Sequence, residues 1–358
     1  MRLVADQKEL SKAIALAMRA VPSRTERPVL ANLLIKTKGT DRVTFTGFDQ
    51  SKSITAECEA IESGGSAITL PAKLLSDLVN KLTGEIEIDF NVTEGSQATL
   101  TQGKSSFKLP VILGDEYPQL PELGDSPIEM ELDGWKSAIK QTQFACSTDL
   151  SKGVLGGIKI QSVNGKVEFA ATDGHRLSVH QEDGAPRIDC NIPAEVLSDL
   201  TKLDGETLQF RADEVLVQID TTTCRITSRL LEGPYPNYKQ LIPQSFDHKI
   251  EVDRKGLLLA LERIELVAAN RVAKLHFNGL GLTVEASDSE SSGSDFVVAQ
   301  CASAPPETAF NIKYLAQGLR ACEEDTVTIN LNTPTSPVTL TEVGSDYLYL
   351  VMPVQIRE

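Results

Sequence analysis

Ile68-Thr69-Leu70-Pro71-Ala72-Lys73-Leu74-Leu75-Ser76-Asp77-Leu78 is echoed 122 positions later by Cys190-Asn191-Ile192-Pro193-Ala194-Glu195-Val196-Leu197-Ser198-Asp199-Leu200. A third stretch, Phe310-Asn311-Ile312-Lys313-Tyr314-Leu315-Ala316-Gln317-Gly318-Leu319, follows about 119 further on and keeps the apolar spacing without the proline. Other landmarks move in step. Thr46-Gly-Phe-Asp49, Thr172-Asp173-Gly174-His175 and Ser287-Asp-Ser-Glu290 each close an alternating segment, and Phe107-Lys-Leu-Pro110, Arg225-Ile-Thr-Ser228 and Tyr347-Leu-Tyr-Leu350 each form a late one. The chain is read as one unit repeated three times, with boundaries in the Pro/Gly/Asp-rich stretches Gly114 to Pro127 and Glu232 to Asp247. The expected domains are 1–123, 124–246 and 247–358.

Each repeat reads helix, strands, helix, strands. In the first, Leu10, Ile14, Ala17 and Met18 mark one helix face, and Leu74, Leu75, Leu78, Val79 and Leu82 a second. Between and after them, Leu33–Thr37, Val43–Thr46, Ile86–Phe90 and Ala98–Thr101 alternate as strands joined by short turns. Few helices and many hairpin-connected strands predict α+β domains, each with two helices packed on antiparallel sheets, not a βαβ winding.

The 358 residues carry 35 Lys+Arg against 50 Asp+Glu, a net charge of −15, which at first sight argues against a polyanionic partner. Location changes that reading. The six predicted helices (7–20, 72–82, 134–145, 194–202, 254–270, 313–322) hold 13 basic and 6 acidic residues, leaving +7 on the helices and −22 elsewhere. Lys8, Lys12 and Arg19 point away from the apolar face of the first helix, and Lys136 and Lys140 away from Trp135, Ala138 and Ile139. Arg254, Lys255 and Arg263 lie on the third repeat's first helix. Helices gathered on one side would attract a phosphate backbone there and repel it elsewhere, without a base-reading motif.

The N-terminus MRLVADQKEL lacks the apolar run of a secretory leader, and no stretch approaches the roughly 18 apolar residues of a membrane span. A cytoplasmic protein with no membrane partner is expected. Six cysteines at wide, irregular spacing suggest neither disulfides nor a metal site, and the sequon Asn91-Val92-Thr93 has no consequence in that compartment. The one stretch resembling an active site is Asp173-Gly174-His175-Arg176, where a carboxylate and an imidazole would serve a hydrolase. The competing reading is a strand-end turn, since the other two repeats keep the turn without histidine. Gly103-Lys104-Ser105 lacks the first glycine and the helix of a phosphate-binding loop. No cofactor, metal ligand or catalytic residue is expected.

With three repeats, basic helix faces and Ala171-Thr-Asp-Gly-His-Arg-Leu177 in the middle repeat, the chain closely resembles the bacterial DNA polymerase III beta subunit family, the sliding clamps. Further landmarks are Arg27-Pro28 to Leu34, Glu232-Gly-Pro-Tyr-Pro236-Asn-Tyr238 and Tyr349-Leu-Val-Met352-Pro353. The resemblance covers the whole length. It implies a non-catalytic processivity subunit: a homodimer closed head to tail into a ring around double-stranded DNA, without sequence specificity. It also implies partners: the DNA polymerase III catalytic subunit, the clamp loader complex, and other DNA polymerases and repair proteins that bind through short peptide motifs. By the same resemblance, a cleft between the second and third domains takes those peptides at Leu155, Thr172, Gly174, His175, Arg176, Leu177, Pro236, Leu241, Asn311, Tyr314, Val351, Met352 and Pro353. DNA would be faced by Lys8, Lys12, Arg19, Arg24, Lys73, Lys81, Lys136, Lys140, Lys202, Arg254, Arg263, Lys313 and Arg320, and the subunit contact made by Phe107, Leu109, Leu266 and Val267. Gln240 stands where the family often has arginine, Arg357-Glu358 extend the usual end, and Glu195 and Asp199 give the helix carrying Lys202 a net −1.

Overall fold

The computed structural model describes residues 2–39, 41–63, 67–90, 97–124, 126–184 and 187–355. Asn91–Thr93 and Ile356–Glu358 lie outside the described residues. Six α-helices form among them: α1 Gln7–Ala17, α2 Ala72–Val79, α3 Leu132–Thr142, α4 Ala194–Leu200, α5 Arg254–Glu265 and α6 Ile312–Ala321. Each follows directly on a short strand. The side chains of Asp6, Asp253 and Asn311 accept the N–H groups of Lys8, Gly256 and Tyr314, which have no partner inside their helices. All six helices end earlier than expected, α5 by the most, at Glu265 and not at 270, and α2 at Val79 short of Leu82; after α1 and α3 the chain tightens into the 3₁₀ turns Met18–Ala20 and Gln143–Ala145.

Every strand pairing among the described residues is antiparallel. The chain divides into two compact units, Met1–Asp133 with Ser198–Leu230, and Gly134–Leu197 with Leu231–Glu358. The first holds a five-stranded and a nine-stranded sheet, the second a twelve-stranded sheet. Inside the first unit, Lys52–Glu59 of the first repeat pairs with Cys224–Arg229 of the middle one. Inside the second, Arg176–Asp183 of the middle repeat pairs with Tyr347–Val351 of the third. Two consecutive repeats are thus stitched by the same pair of strands.

Strand register corrects the match of the third copy. Pro71 pairs with Asn32, Pro193 with Gly157, and Asn311 with Val272, so Asn311 takes the proline's place and Lys313 does not. The backbone explains the exchange: Pro71 has φ −55° and ψ 113°, Asn311 φ −65° and ψ 117°. The conformation that proline presets is held in the third repeat by a side-chain cap.

Leu10, Ile14, Leu75 and Val79 from α1 and α2 join Leu33, Phe45, Ile86 and Leu100 in the first core, and Leu257, Leu261, Leu315 and Leu319 from α5 and α6 join Leu275, Val327 and Tyr349 in the last. Full burial of each such side chain is worth about 1.5–3 kcal/mol. In the middle repeat Trp135 of α3 meets Phe169 edge to face at 5.1 Å. Gly318 is required where α6 crosses this sheet, since a Cβ there would lie 2.3 Å from the Tyr349 ring. No described helix is long and apolar enough to cross a membrane.

Candidate functional site

The turn after strand Lys166–Thr172 is built by its own side chains. Asp173 Oδ1 accepts the backbone N–H groups of His175 (2.9 Å) and Arg176 (3.2 Å), and Thr172 Oγ1 donates to the Arg176 carbonyl at 2.6 Å. Gly174, at φ +91°, supplies the left-handed step. The Asp173 carboxylate is occupied by this turn and by the Arg176 guanidinium (Oδ2 to Nε 3.1 Å), so it is not aimed at the His175 ring. That ring stacks against Tyr314 with centroids 6.2 Å apart. No cluster of three or more His, Cys, Asp or Glu able to hold a metal occurs among the described residues. The acid–base pairing that a hydrolase needs is not formed.

Arg176 lies beneath this surface, 6% exposed. Nη1 donates to Gln317 Oε1 at 2.5 Å, Nη2 donates to the Phe144 carbonyl at 2.5 Å, and the guanidinium covers the Tyr314 ring at 4.5 Å and the Phe144 ring at 5.3 Å. A single cation thus ties the turn to α6 and to the 3₁₀ turn that follows α3. Lys152 Nζ donates to the Asp173 carbonyl (2.7 Å), fastening the segment that carries Leu155. Met352 N–H donates to the His175 carbonyl (2.9 Å), bringing the C-terminal strand alongside.

The thirteen expected cleft residues separate into surface and foundation. Gly174, His175, Pro236, Leu241 and Met352 are exposed, and Leu155, Asn311, Tyr314 and Pro353 half-buried, whereas Thr172, Arg176, Leu177 and Val351 are buried. Leu241 at 53% and Met352 at 37% exposure are the large apolar groups most open to a ligand. The contacts unite the 172–177 turn, Tyr314 and Met352. Pro236 and Leu241 arrive on the segment Leu231–Ile242, held down by Tyr238, whose ring packs with Leu177 and Leu350. Sequence reading quotes Tyr238 only as a landmark and does not find its supporting role, nor Phe144, Gln317 and Lys152, because each acts on a partner far away in the chain.

The expected basic faces are exposed except at Lys136 and Arg254, which are half-buried. Several cations already have partners: Lys12 with Asp204, Arg263 with Asp295, Arg320 with Glu262, and Arg254 with the Glu324 carbonyl at 2.6 Å. Exposed pairs of this kind are worth about 0–1 kcal/mol and exchange readily for a phosphate. Arg19 differs, since its partner Asp199 is 2% exposed and also holds Lys52. Asp199 is therefore no surface acid opposing Lys202, and Arg19 is committed to a buried carboxylate.

At the expected subunit contact, Leu109 is fully buried in the first core and Phe107 packs half-buried on the same core, because alternate residues of strand Ser105–Pro110 face inward. Leu109 is not available to a second copy. Leu266 is 86% exposed, with Phe296 at 48% and Val298 at 71% on strand Ser292–Cys301.

Models of the DNA polymerase III beta subunit match in chain order: the N-terminal domain over residues 1–121, the central domain over 129–237 and the C-terminal domain over 239–355. The chain is 38% identical to the beta sliding clamp of Synechococcus elongatus across the full length of both. It is 31% identical to that of Streptomyces coelicolor, over 99% of this chain and 100% of the relative. Among solved structures, the DNA polymerase sliding clamp of Bacillus subtilis superposes with a TM-score of 0.93 at 26% identity over 100% of both chains. The clamp of Bartonella birtlesii bound to griselimycin gives 0.92 at 26% identity, over 99% of this chain and 100% of that one.

Proposed function

The chain belongs to the DNA polymerase III beta subunit family, and from that premise we propose which of its residues do the work of a sliding clamp. A sliding clamp is a non-catalytic subunit, a homodimer that encircles duplex DNA and tethers the replicative polymerase. Processivity then comes from enclosure, and affinity for DNA can stay low. Weak, water-bridged contacts from helix lysines and arginines to phosphates let the protein slide. The acidic remainder of the chain disfavours duplex anywhere else. From its work at the replication fork we infer a bacterial cytoplasmic location.

The observation that carries the reading is the repeated junction. Lys52–Glu59 and Arg176–Asp183 each pair with the last strand of the following repeat. Among the described residues, their counterparts are Ser292–Val298, paired only with Gly281–Ser287, and Ser105–Pro110, paired only with Gln97–Gln102. A second copy supplying the missing strand at each end makes two equivalent head-to-tail contacts, and such contacts close when the rotation permits. Leu266 and Val267 flank that edge, and backbone groups of Ser105–Pro110 would receive it. We divide the chain at 123 and 246 into three clamp domains on the same ground.

Partner peptides would lie over Leu155, His175, Pro236, Leu241, Tyr314 and Met352, with Arg176 and Leu177 supporting them from below. The test of function is retention on nicked circular plasmid after loading with clamp loader and ATP. Release on linearising the plasmid is expected, and equal retention on linear DNA would overturn enclosure.

A further inference from the structure

Glu168 is 4% exposed, on the strand that leads into the turn, and its carboxylate gathers donors from two neighbouring strands and the Leu231–Ile242 segment. Oε1 accepts from Tyr238 Oη (2.6 Å), Lys239 Nζ (2.9 Å) and Gln161 Nε2 (3.0 Å), and Oε2 from Gln181 Nε2 (2.7 Å). Gln161 Nε2 also donates to Tyr238 Oη at 2.7 Å, which closes the network. The Tyr238 ring meets Tyr235 edge to face and packs with Leu177, and the Tyr238 N–H donates to the Pro236 carbonyl at 2.8 Å. Both cleft residues on this segment, Pro236 and Leu241, lie within three positions of Tyr238.

We infer that Glu168 is a positioning residue for peptide binding: by holding Tyr238 and Lys239 it fixes the segment that presents Pro236 and Leu241, without itself touching the peptide. A buried charged acceptor with four donors is stable only in one arrangement, and a wall held in one arrangement spares a ligand the cost of ordering it. The inference rests on the cleft reading above, so its test includes a variant for each.

The probe is a fluorescein-labelled peptide carrying the clamp-binding motif of the same organism's polymerase III catalytic subunit, titrated against the intact dimer by polarisation. Met352→Asp, at the exposed rim, reports on the cleft itself. If it binds as well as wild type, the cleft reading fails and the inference with it. With Met352→Asp defective, Glu168→Leu is expected to weaken binding about tenfold and Tyr238→Phe about threefold, while amide exchange over 235–242 speeds up and dimer mass is unchanged. Glu168→Gln, which keeps one acceptor for Tyr238, should lose less than Glu168→Leu. Binding within twofold of wild type, or weaker binding without faster exchange over 235–242, overturns the anchoring role. Should Glu168→Leu fail to fold, Tyr238→Phe decides by the same readings.

Discussion

Lys52 Nζ lies 2.9 Å from Asp199 Oδ2, both side chains buried, and this ion pair stands at the first junction where Arg176 and Gln317 stand at the second. Lys52 and Arg176 each open the strand that crosses the junction, and Asp199 and Gln317 are each the sixth residue of α4 and α6. The chemistry diverges. Two cations, Lys52 and Arg19, share one carboxylate at the first junction, whereas Arg176 finds a neutral amide, a carbonyl, Asp173 and two aromatic faces at the second.

Asp199→Ala leaves the Lys52 ammonium buried and unpaired, so a loss of about 3–5 kcal/mol is expected. Gln317→Ala leaves Arg176 its other partners and should cost about 1–3 kcal/mol. Urea unfolding of the two variants checks the order. Equal losses would mean that the junctions are not held as described.

Removing exposed helix cations should act on DNA and on nothing else. Lys73→Ala, Lys140→Ala and Lys313→Ala each take away one exposed charge. For every phosphate that a variant no longer neutralises, the slope of log affinity against log salt on duplex DNA should fall by about 0.9, with peptide affinity unchanged. Arg19→Ala should behave differently and lower stability, because it strips a partner from buried Asp199. A panel of salt titrations alongside thermal melts separates the two classes.

The repeat, the six helices and the Thr172–Leu177 turn are legible because each is written in local patterns: apolar spacing at 3.6 or 2, and Asx chemistry at a strand end. The register of the third copy is not, since an asparagine cap replaces proline by a different physical route to the same backbone. Burial of Asp199 is hidden for a similar reason: the cation that makes it tolerable, Lys52, lies 147 positions away. Leu109 is misjudged if it is taken as an edge residue without asking which face of its strand it lies on. In the proposed cleft, the residues come from the family pattern, Arg176 among them, but the supporting roles of Arg176, Tyr238 and Glu168 stay invisible until they meet their partners.

Acid should reach the Leu231–Ile242 segment through Glu168. Burial by itself would raise this carboxyl, but hydrogen bonds from Tyr238, Lys239, Gln181 and Gln161 outweigh it and hold the pKa below the ordinary value of 4.5. A depressed carboxyl adds stability that is present above its unfolded value and lost as pH falls through the folded one. Wild type should therefore lose stability relative to Glu168→Gln on going below about pH 4.5, with the two curves parallel from about pH 5 to 8. Melting temperatures across that range test it, and a gap that widens upward from about pH 5 would contradict the assignment.

Leu266 supplies the sharpest test of the dimer. Arg19, Phe144 and Leu266 each follow the first residue of their repeat's leading helix by twelve positions. Arg19 reaches across the first junction to Asp199, and Phe144 packs on the third core, 5.7 Å from the Tyr349 ring. Leu266, 86% exposed, holds the same position in the third repeat, and we propose that it is the knob presented to the next copy. Because it is exposed in the single chain, Leu266→Asp should leave the unfolding free energy of one subunit nearly unchanged. In the dimer it places a carboxylate where about 2–3 kcal/mol of apolar burial is expected, at both contacts of the ring. Sedimentation at micromolar concentration should then give twice 38.8 kDa for the wild type and 38.8 kDa for the variant. A variant that remains dimeric would place the subunit contact elsewhere, and a variant that unfolds would show that Leu266 belongs to the subunit's own core.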